Sequence, residues 1–174
     1  MFSVLGRIFK TGCLTEQLPE GDEDQAIARV GGLCQKEISR IFGKSLAIRM
    51  VDAGSCNGCE LEMHAVNNGF YDIERFGIHF VASPRHADLL LVTGPVARHM
   101  QAALKATYLA VPDPKLVVAM GDCAANGGEF GVSYASCGAV ANVLPVDAVV
   151  PGCPPTPLQL LQTITLLLGR GAVR

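Results

Sequence analysis

The segment Asp88-Leu89-Leu90-Leu91-Val92-Thr93 is a short, continuous apolar run that ends at Gly94-Pro95. A strand exposed on one face alternates apolar and polar residues, whereas a strand covered on both faces is apolar throughout. The segment therefore predicts a strand buried on both faces. Such strands belong to sheets that carry helices on each side.

Four further segments have the composition of strands, and helical patterns separate them along the chain. The predicted strands lie at 46–51, 78–81, 115–120 and 146–150, and the predicted helices at 61–67, 98–108 and 157–168. Strands that alternate with helices indicate a mostly parallel sheet sandwiched by helices. The fold class predicted from the residues is therefore α/β.

Residues 1–44 have a different pattern and are predicted to form an N-terminal arm. Four apolar residues recur at helical spacing and indicate a short amphipathic segment: Phe2, Leu5, Ile8 and Phe9. Residues 24–42 predict a second helix, interrupted by Gly31-Gly32. The arm would lie on a membrane surface, dock on a partner or pack on its own domain. Residues 45–174 would form the main domain.

The composition limits the classes of function. The 174 residues suffice for one domain with a core. Of these residues 49% are hydrophobic, which favours burial of surface against partner proteins over a core-rich monomer. No apolar stretch reaches the roughly 18 to 20 residues that a membrane-spanning helix needs. The net charge is −2 and no basic block is present, so nucleic acid is not an expected partner.

Seven cysteines, an odd number, argue for metal or redox chemistry rather than for a disulfide framework. Four of them lie in loops that follow directly on predicted strands: Cys56, Cys59, Cys123 and Cys153. In open α/β sheets, ligands bind beyond the carboxyl ends of the strands. We therefore expect the four sulfurs to converge at one edge of the sheet. The loops are rich in glycine and proline, which let the backbone approach a bulky group and hold it rigidly.

The pair in Cys56-Asn57-Gly58-Cys59 is compatible with three kinds of site. A thioredoxin-type redox pair leaves Cys123 and Cys153 unexplained. A zinc site usually has a second close Cys-x-x-Cys or His pair, which the sequence lacks. Dispersed single cysteines favour an iron–sulfur cluster, and four thiolates suffice for one [4Fe–4S] cluster. The residues by themselves leave all three kinds of site open.

The other cysteines and the charged residues nearby are weaker candidates. A free cysteine is common as a small buried hydrophobe, so three cysteines are predicted not to be ligands: Cys13, Cys34 and Cys137. Glu60 and Glu62 follow Cys59 and are candidates for a proton relay or for tuning a reduction potential. An acidic residue there can also stabilise the start of the following helix. For Asp122, a structural role is favoured.

At these loops the sequence resembles the small electron-transfer subunit that respiratory complex I and the [NiFe] hydrogenases share. The resemblance is carried by Cys56-Asn57-Gly58-Cys59-Glu60-Leu61-Glu62-Met63, Ser83-Pro84-Arg85-His86-Ala87-Asp88 with Thr93-Gly94-Pro95-Val96, Met120-Gly121-Asp122-Cys123-Ala124 with Gly127-Gly128, and Val146-Asp147 with Pro151-Gly152-Cys153-Pro154-Pro155. Together these stretches span about 47–168, most of the chain. The resemblance implies a flavodoxin-like sheet and one [4Fe–4S] cluster held by the four cysteines.

Details of the motifs resemble one branch of this superfamily. The Cys-x-x-Cys pair followed by Glu60 is the hydrogenase arrangement, whereas Glu62-Met63 and the compact length resemble the complex I side. This mixture is similar to membrane-bound, energy-converting [NiFe] hydrogenases and formate hydrogenlyase. No cysteine follows Cys153, so the resemblance implies a single, proximal cluster.

The resemblance implies an electron-transfer subunit that is not catalytic alone. Electrons would pass between a ferredoxin-like iron–sulfur subunit and the [NiFe] site of a large subunit, for proton reduction or hydrogen oxidation. Integral membrane subunits would couple this reaction to ion translocation, with the chain attached peripherally at the cytoplasmic face of the cell membrane. One alternative is a subunit of a complex I-like quinone oxidoreductase with a 49 kDa-like large subunit, or of a nickel-free relative. Another is a docking subunit with an inert cluster.

Overall fold

A computed structural model of the chain describes residues 22–170, together with Gly6 and Lys10. Within this part, five parallel strands form one sheet in the order β2-β1-β3-β4-β5. The strands are β1 Leu46–Asp52, β2 Ile78–Phe80, β3 Leu89–Thr93, β4 Leu116–Met120 and β5 Ala148–Val150. This order is that of the flavodoxin-like doubly wound sheets. The predicted α/β class with a parallel sheet is confirmed.

Helices cover both faces of the sheet. They are α1 Asp22–Phe42, α2 Gly58–Val66, α3 Gln101–Ala110, α4 Asp122–Asn126 and α5 Pro157–Gly169, with short 3₁₀ helices at Ile73–Phe76, Pro84–His86 and Val140–Asn142. Helix α5 begins with a capping box, in which Thr156 and Gln159 bond each other's backbone N–H groups. The helix predicted at 98–108 begins three residues later than expected and ends two residues later.

Strand β3 is the central element of the core, as its apolar run predicts. All five of its residues are buried, and it pairs with β1 on one side and β4 on the other. Successive side chains point to opposite faces of a strand. Leu89 and Leu91 therefore join the core under α1, α2 and α5, while Leu90 and Val92 join a second core that includes Leu104 of α3.

Helix α1 runs without a break, so the predicted interruption at Gly31-Gly32 is wrong. The reason lies in the packing of Gly31, which is buried against the ring of Phe76. A Cβ atom on Gly31 would stand 2.4 Å from carbon atoms of that ring. Glycine at this position therefore makes room for an aromatic side chain, and its helical backbone is retained.

Helix α1 packs along α5 and shares a core with the sheet. The boundary between an arm at 1–44 and a domain at 45–174 stays a prediction. The amphipathic segment expected near the start of the chain lies outside the described residues, except for Gly6 and Lys10, which are helical. Within residues 22–170, no helix is long and apolar enough to cross a bilayer.

The contrast between Gly31 and Gly32 gives a matched test of this packing. We expect Gly31→Ala to lower the free energy of unfolding by about 1 to 3 kcal/mol, because the new methyl group overlaps the Phe76 ring. Gly32→Ala meets nothing within 4 Å among the described residues, so it should raise stability by up to about 1 kcal/mol through helix propensity. Urea denaturation of the two variants measures both effects, and equal midpoints would contradict the packing argument.

The buried thiol of Cys34 makes the free energy of unfolding fall at alkaline pH. Burial between α1 and α5 raises the pKa of its thiol from 9.0 to about 11, against a lowering by the hydroxyl of Thr165. Below pH 9.0 the thiol is protonated in both states and its contribution to stability is fully present. As pH rises toward 11 the unfolded chain ionises first, and about 2 to 3 kcal/mol of stability is lost.

The matched variant for this effect is Cys34→Ala, which lacks the titrating group. We expect the free energy of unfolding of the unaltered chain to fall more steeply between pH 9 and 11 than that of Cys34→Ala. Urea denaturation at several pH values gives both slopes. Equal slopes in the two chains would show that burial does not raise the pKa of Cys34.

Candidate metal centre

Four neighbouring strands of the sheet end level with one another. Asp52 of β1 pairs with Thr93 of β3, Thr93 pairs with Met120 of β4, and Met120 pairs with Val150 of β5. The loops that follow these strands therefore start from a common edge. Three of the loops carry the four cysteines, as the sequence predicts. This edge includes the junction of β1 and β3, where the strand order reverses and where ligands bind in doubly wound folds.

The four cysteine side chains line one cavity of about 140 Å³: Cys56, Cys59, Cys123 and Cys153. Cys59 lies in the first turn of α2 and Cys123 in the first turn of α4. Both are half-buried, whereas Cys56 and Cys153 lie in loops and are exposed. The cavity therefore has a protein-lined floor and an open side that faces outward.

The loop that carries Cys56 is shaped by hydrogen bonds from its own backbone. Oδ1 of Asp52, the last residue of β1, accepts from the N–H groups of Gly54 at 2.8 Å and Ser55 at 2.7 Å. Asn57 precedes α2 with a left-handed φ of 73° and donates its N–H to Oγ of Ser55 at 3.0 Å. A short polar side chain tolerates this backbone geometry better than a bulky one does. The turn between the paired cysteines is therefore fixed locally.

Glu60 joins this loop to the end of β3. It is only 5% exposed, and each of its oxygens accepts a hydrogen bond from a hydroxyl group. Oγ of Ser55 donates to Oε2 at 2.6 Å, and Oγ1 of the fully buried Thr93 donates to Oε1. A buried carboxylate needs such partners. Glu60 therefore holds the first turn of α2 against the loop after β1 and the end of β3, next to Cys59.

Asp122 plays the corresponding role on the other side of the cavity. Its Oδ1 accepts from the N–H of Gly152 at 2.9 Å, and its own N–H donates to the carbonyl of Gly152 at 2.9 Å. Two hydrogen bonds thus connect the residue before Cys123 to the residue before Cys153. This contact agrees with the structural role favoured for Asp122.

Two glycines leave the space that the sulfur atoms occupy. A Cβ atom on Gly121 would stand 2.7 Å from Sγ of Cys59, and one on Gly128 would stand 2.7 Å from Sγ of Cys123. Both glycines also have positive φ, 89° and 53°, which side chains rarely adopt. The wall of the cavity is therefore built around the two half-buried sulfurs.

The electrostatics of the cavity oppose ionisation of its two half-buried thiols, Cys59 and Cys123. Burial, the nearby Glu60 carboxylate and the other three cysteines together raise the pKa of Cys59 to about 12. Burial also raises the pKa of Cys123, together with the charges of Cys153 and Cys56. Thiolates are the form that binds metal, so a metal centre here must supply positive charge and displace protons.

The donor set and the shape of the cavity fit an iron–sulfur cluster. Within residues 22–170, no group of three or more His, Cys, Asp or Glu side chains has the geometry of a single-ion site. Four thiolates spread around a cavity with glycine walls are the donor set of a [4Fe–4S] cluster, in which each cysteine binds a different iron. The residues present therefore fit a cluster.

The remaining candidates lie elsewhere or outside the described part. Cys34 is buried between α1 and α5, and Cys137 is buried in the core on the α3 side of the sheet. Cys13 lies outside the described residues. Glu62 is half-buried on α2 and does not line the cavity. Ligation by the four cysteines and the role of Glu62 stay predictions.

Sequence reasoning missed the two hydroxyl groups that hold Glu60. Ser55 lies next to Cys56, and Thr93 is the polar end of the apolar run at 88–93. A polar residue at the carboxyl end of a fully buried strand is a signal for a site at that edge. That signal could have drawn attention to Thr93 before the structure was known.

Comparison with known protein families and curated proteins identifies relatives that are subunits of oxidoreductase complexes. The family model described as "NADH ubiquinone oxidoreductase, 20 Kd subunit" matches residues 56–167. Formate hydrogenlyase subunit 7 of Escherichia coli K12 is 42% identical over 146 residues, which is 84% of this chain but only 56% of that protein. The probable membrane-bound hydrogenase subunit mbhJ of Pyrococcus furiosus is 43% identical over 140 residues, 80% of this chain and 81% of that protein.

Two solved structures share the fold. A chain of the membrane-bound sulfane sulfur reductase, an archaeal respiratory membrane complex, is 36% identical, with a TM-score of 0.65 over 78% of this chain and 74% of that chain. A chain of an NAD⁺-reducing [NiFe]-hydrogenase has a TM-score of 0.55 over 72% of this chain and 93% of that chain. The second is 21% identical and shows the fold alone.

The family match begins at Cys56 and covers all four cysteine positions as well as the strands that place them. The relatives named as hydrogenase subunits match along most of this chain. The resemblance found in the motifs is therefore confirmed. The chain belongs to the family of the 20 kDa subunit of NADH ubiquinone oxidoreductase, whose members are subunits of oxidoreductase complexes.

Proposed function

We propose that the chain is the electron-transfer subunit of a membrane-associated, multi-subunit hydrogenase, and that it holds one [4Fe–4S] cluster. The observation that carries this proposal is the convergence of Cys56, Cys59, Cys123 and Cys153 on one cavity. The names of the two hydrogenase relatives support the class of complex. Since the chain spans 56% of the Escherichia coli relative, the activity of the whole assembly belongs to the proposal.

The four cysteines would hold the cluster, which supplies one-electron transfer when bound. The protein side of this task is to fix the four thiols and to limit access of water to them. Cys59 and Cys123 form the half-buried floor, and the hydrogen bonds of Glu60 and Asp122 hold the turns that carry them. The exposed side, at Cys56 and Cys153, is where a redox partner can approach closely.

Glu60 and Glu62 are the proposed proton-relay residues. Ser55 lines the cavity and donates to Glu60, which in turn accepts from Thr93. These contacts form a continuous chain of exchangeable hydrogens from the cavity wall to the end of β3. The same contacts hold the Cys56 loop in place, so Glu60 has a structural task in addition to any proton transfer.

The assembly we propose has three kinds of partner. A large subunit would carry the [NiFe] site for proton reduction or hydrogen oxidation, and a ferredoxin-like subunit would exchange electrons with this chain. Integral membrane subunits would couple the reaction to ion translocation, with this chain attached peripherally at the cytoplasmic face of the cell membrane. The name of one relative, a probable membrane-bound hydrogenase subunit, supports the hydrogenase class and the membrane association of this assembly.

A second candidate function is favoured by one specific relative. The sulfane sulfur reductase complex contains a chain that is 36% identical to this one. A nickel-free complex, or a complex I-like quinone oxidoreductase with a 49 kDa-like large subunit, would use the same cysteine cavity. Metal analysis of the purified complex separates the candidates: nickel together with iron supports the hydrogenase, and iron without nickel supports the second candidate.

Loss of one thiol from the cavity should remove the cluster. We expect Cys123→Ala to abolish the electron paramagnetic resonance signal of the proximal cluster in the reduced complex, because three thiolates remain for four irons. Cys137→Ala is the control, since Cys137 is buried away from the cavity. An unchanged cluster signal in Cys123→Ala would contradict the assignment of Cys123 as a cluster ligand.

The glycine wall gives an independent test with a well-matched control. Gly128 and Gly131 have the same φ of 53°, so an alanine strains the backbone equally at both positions. Only the Cβ at Gly128 would meet a sulfur, Sγ of Cys123, whereas Gly131 has open space. We therefore expect Gly128→Ala to lose most of its cluster iron and Gly131→Ala to keep it. Equal iron contents would show that the wall does not shape the site.

A further inference from the structure

A second cavity, of about 260 Å³, lies at the edge of the sheet, beyond the end of β2. Strand β2 ends at Phe80, whereas its neighbour β1 continues to Asp52, which leaves a notch beside the later part of β1. The cavity shares no residue with the cysteine cavity, and its lining is Arg49, Met50, Met63, His64, Asn67, Phe80, Val81 and Ala82. We call it the Arg49 pocket.

One nitrogen of the Arg49 guanidinium group lacks an acceptor among the described residues. This atom, Nε, is buried and has no hydrogen-bond partner there, although Arg49 as a whole is half-buried. Arg49 also forms no ion pair with any residue in the part of the chain that the structure describes. A buried donor without an acceptor is unfavourable, and native proteins satisfy nearly all such groups. The acceptor for the Nε–H group therefore comes from outside the described residues.

The lining of the pocket indicates what that acceptor is. Among the described residues that line it, Arg49 and His64 are basic and none is acidic. Its walls are the adaptable side chains of Met50 and Met63 with the ring of Phe80. A carboxylate on a short apolar stem complements both the charge and the walls, because guanidinium binds carboxylate with two parallel hydrogen bonds.

We propose that the Arg49 pocket receives an aspartate or glutamate side chain of another subunit of the complex. The proposal rests on the chain being a subunit, as proposed above, but not on the cluster. The cavity is smaller than the roughly 300 to 1,000 Å³ of typical small-molecule sites, so a protein side chain suits it better than a cofactor does. Arg49 is thus a docking residue of the subunit interface.

Cross-linking in the assembled complex identifies the acidic group. The variant Arg49→Lys keeps a positive charge and places a primary amine in the pocket. A carbodiimide then joins that amine to a carboxylate in direct contact, and mass spectrometry of the peptides names the acidic residue. We expect position 49 to be joined to an aspartate or glutamate of another subunit. A link to an acidic residue of this same chain, or no link at all, overturns the proposal.

Assembly of the complex gives the energetic test. We expect Arg49→Met, which keeps an apolar stem, to weaken binding to the other subunits by at least about 30-fold, because it leaves a buried carboxylate unpaired. Lys105→Met on the exposed face of α3 is the control and should assemble normally. Circular dichroism of the purified variant chain, compared with that of the unaltered chain, shows whether the variant is folded. Normal assembly of Arg49→Met overturns the proposal whether or not the cluster assignment holds.

Discussion

The backbone pairing of the parallel sheet is the constraint on which the cysteine site depends. Register places the last residues of β1, β3, β4 and β5 side by side, from Asp52 through Thr93 and Met120 to Val150. Cysteines separated by up to 97 positions along the chain thereby reach one cavity. A shift of one strand by one residue would turn its side chains to the other face and displace its loop.

The hydrogen bonds behind the cavity convert this placement into a rigid site. Glu60 connects the first cysteine loop to β3 through Ser55 and Thr93, and Asp122 connects the loops after β4 and β5 through Gly152. Each connection uses a side chain next to a cysteine. The thiols of Cys59 and Cys123 are thus held where burial and neighbouring negative charge disfavour their ionisation, a cost that a bound cation offsets.

The centre of the sheet was predictable from sequence because β3 and β4 are local apolar runs that the parallel fold buries. Strand β3 was predicted to within one residue, and the approach of the four cysteines followed from their positions after strands. Specific side-chain contacts outside the cysteine loops were not predictable. From sequence, Gly31 predicts a break in the helix, whereas in the structure it packs against the ring of Phe76. The hydrogen bonds from Ser55 and Thr93 to Glu60 depend on the folded arrangement of two loops and a strand. Likewise, the Arg49 pocket exists because β2 is shorter than β1, which the predicted strand at 78–81 only approximates.

Native mass spectrometry of this chain after anaerobic reconstitution with iron and sulfide tests directly whether the four cysteines hold a cluster. We expect a mass increase equal to one [4Fe–4S] cluster, less the protons that the four cysteines release, and no such increase when Cys59 is replaced by alanine. The increment of a single zinc or iron ion, or an unaltered mass in a chain whose circular dichroism shows the native fold, would contradict this expectation.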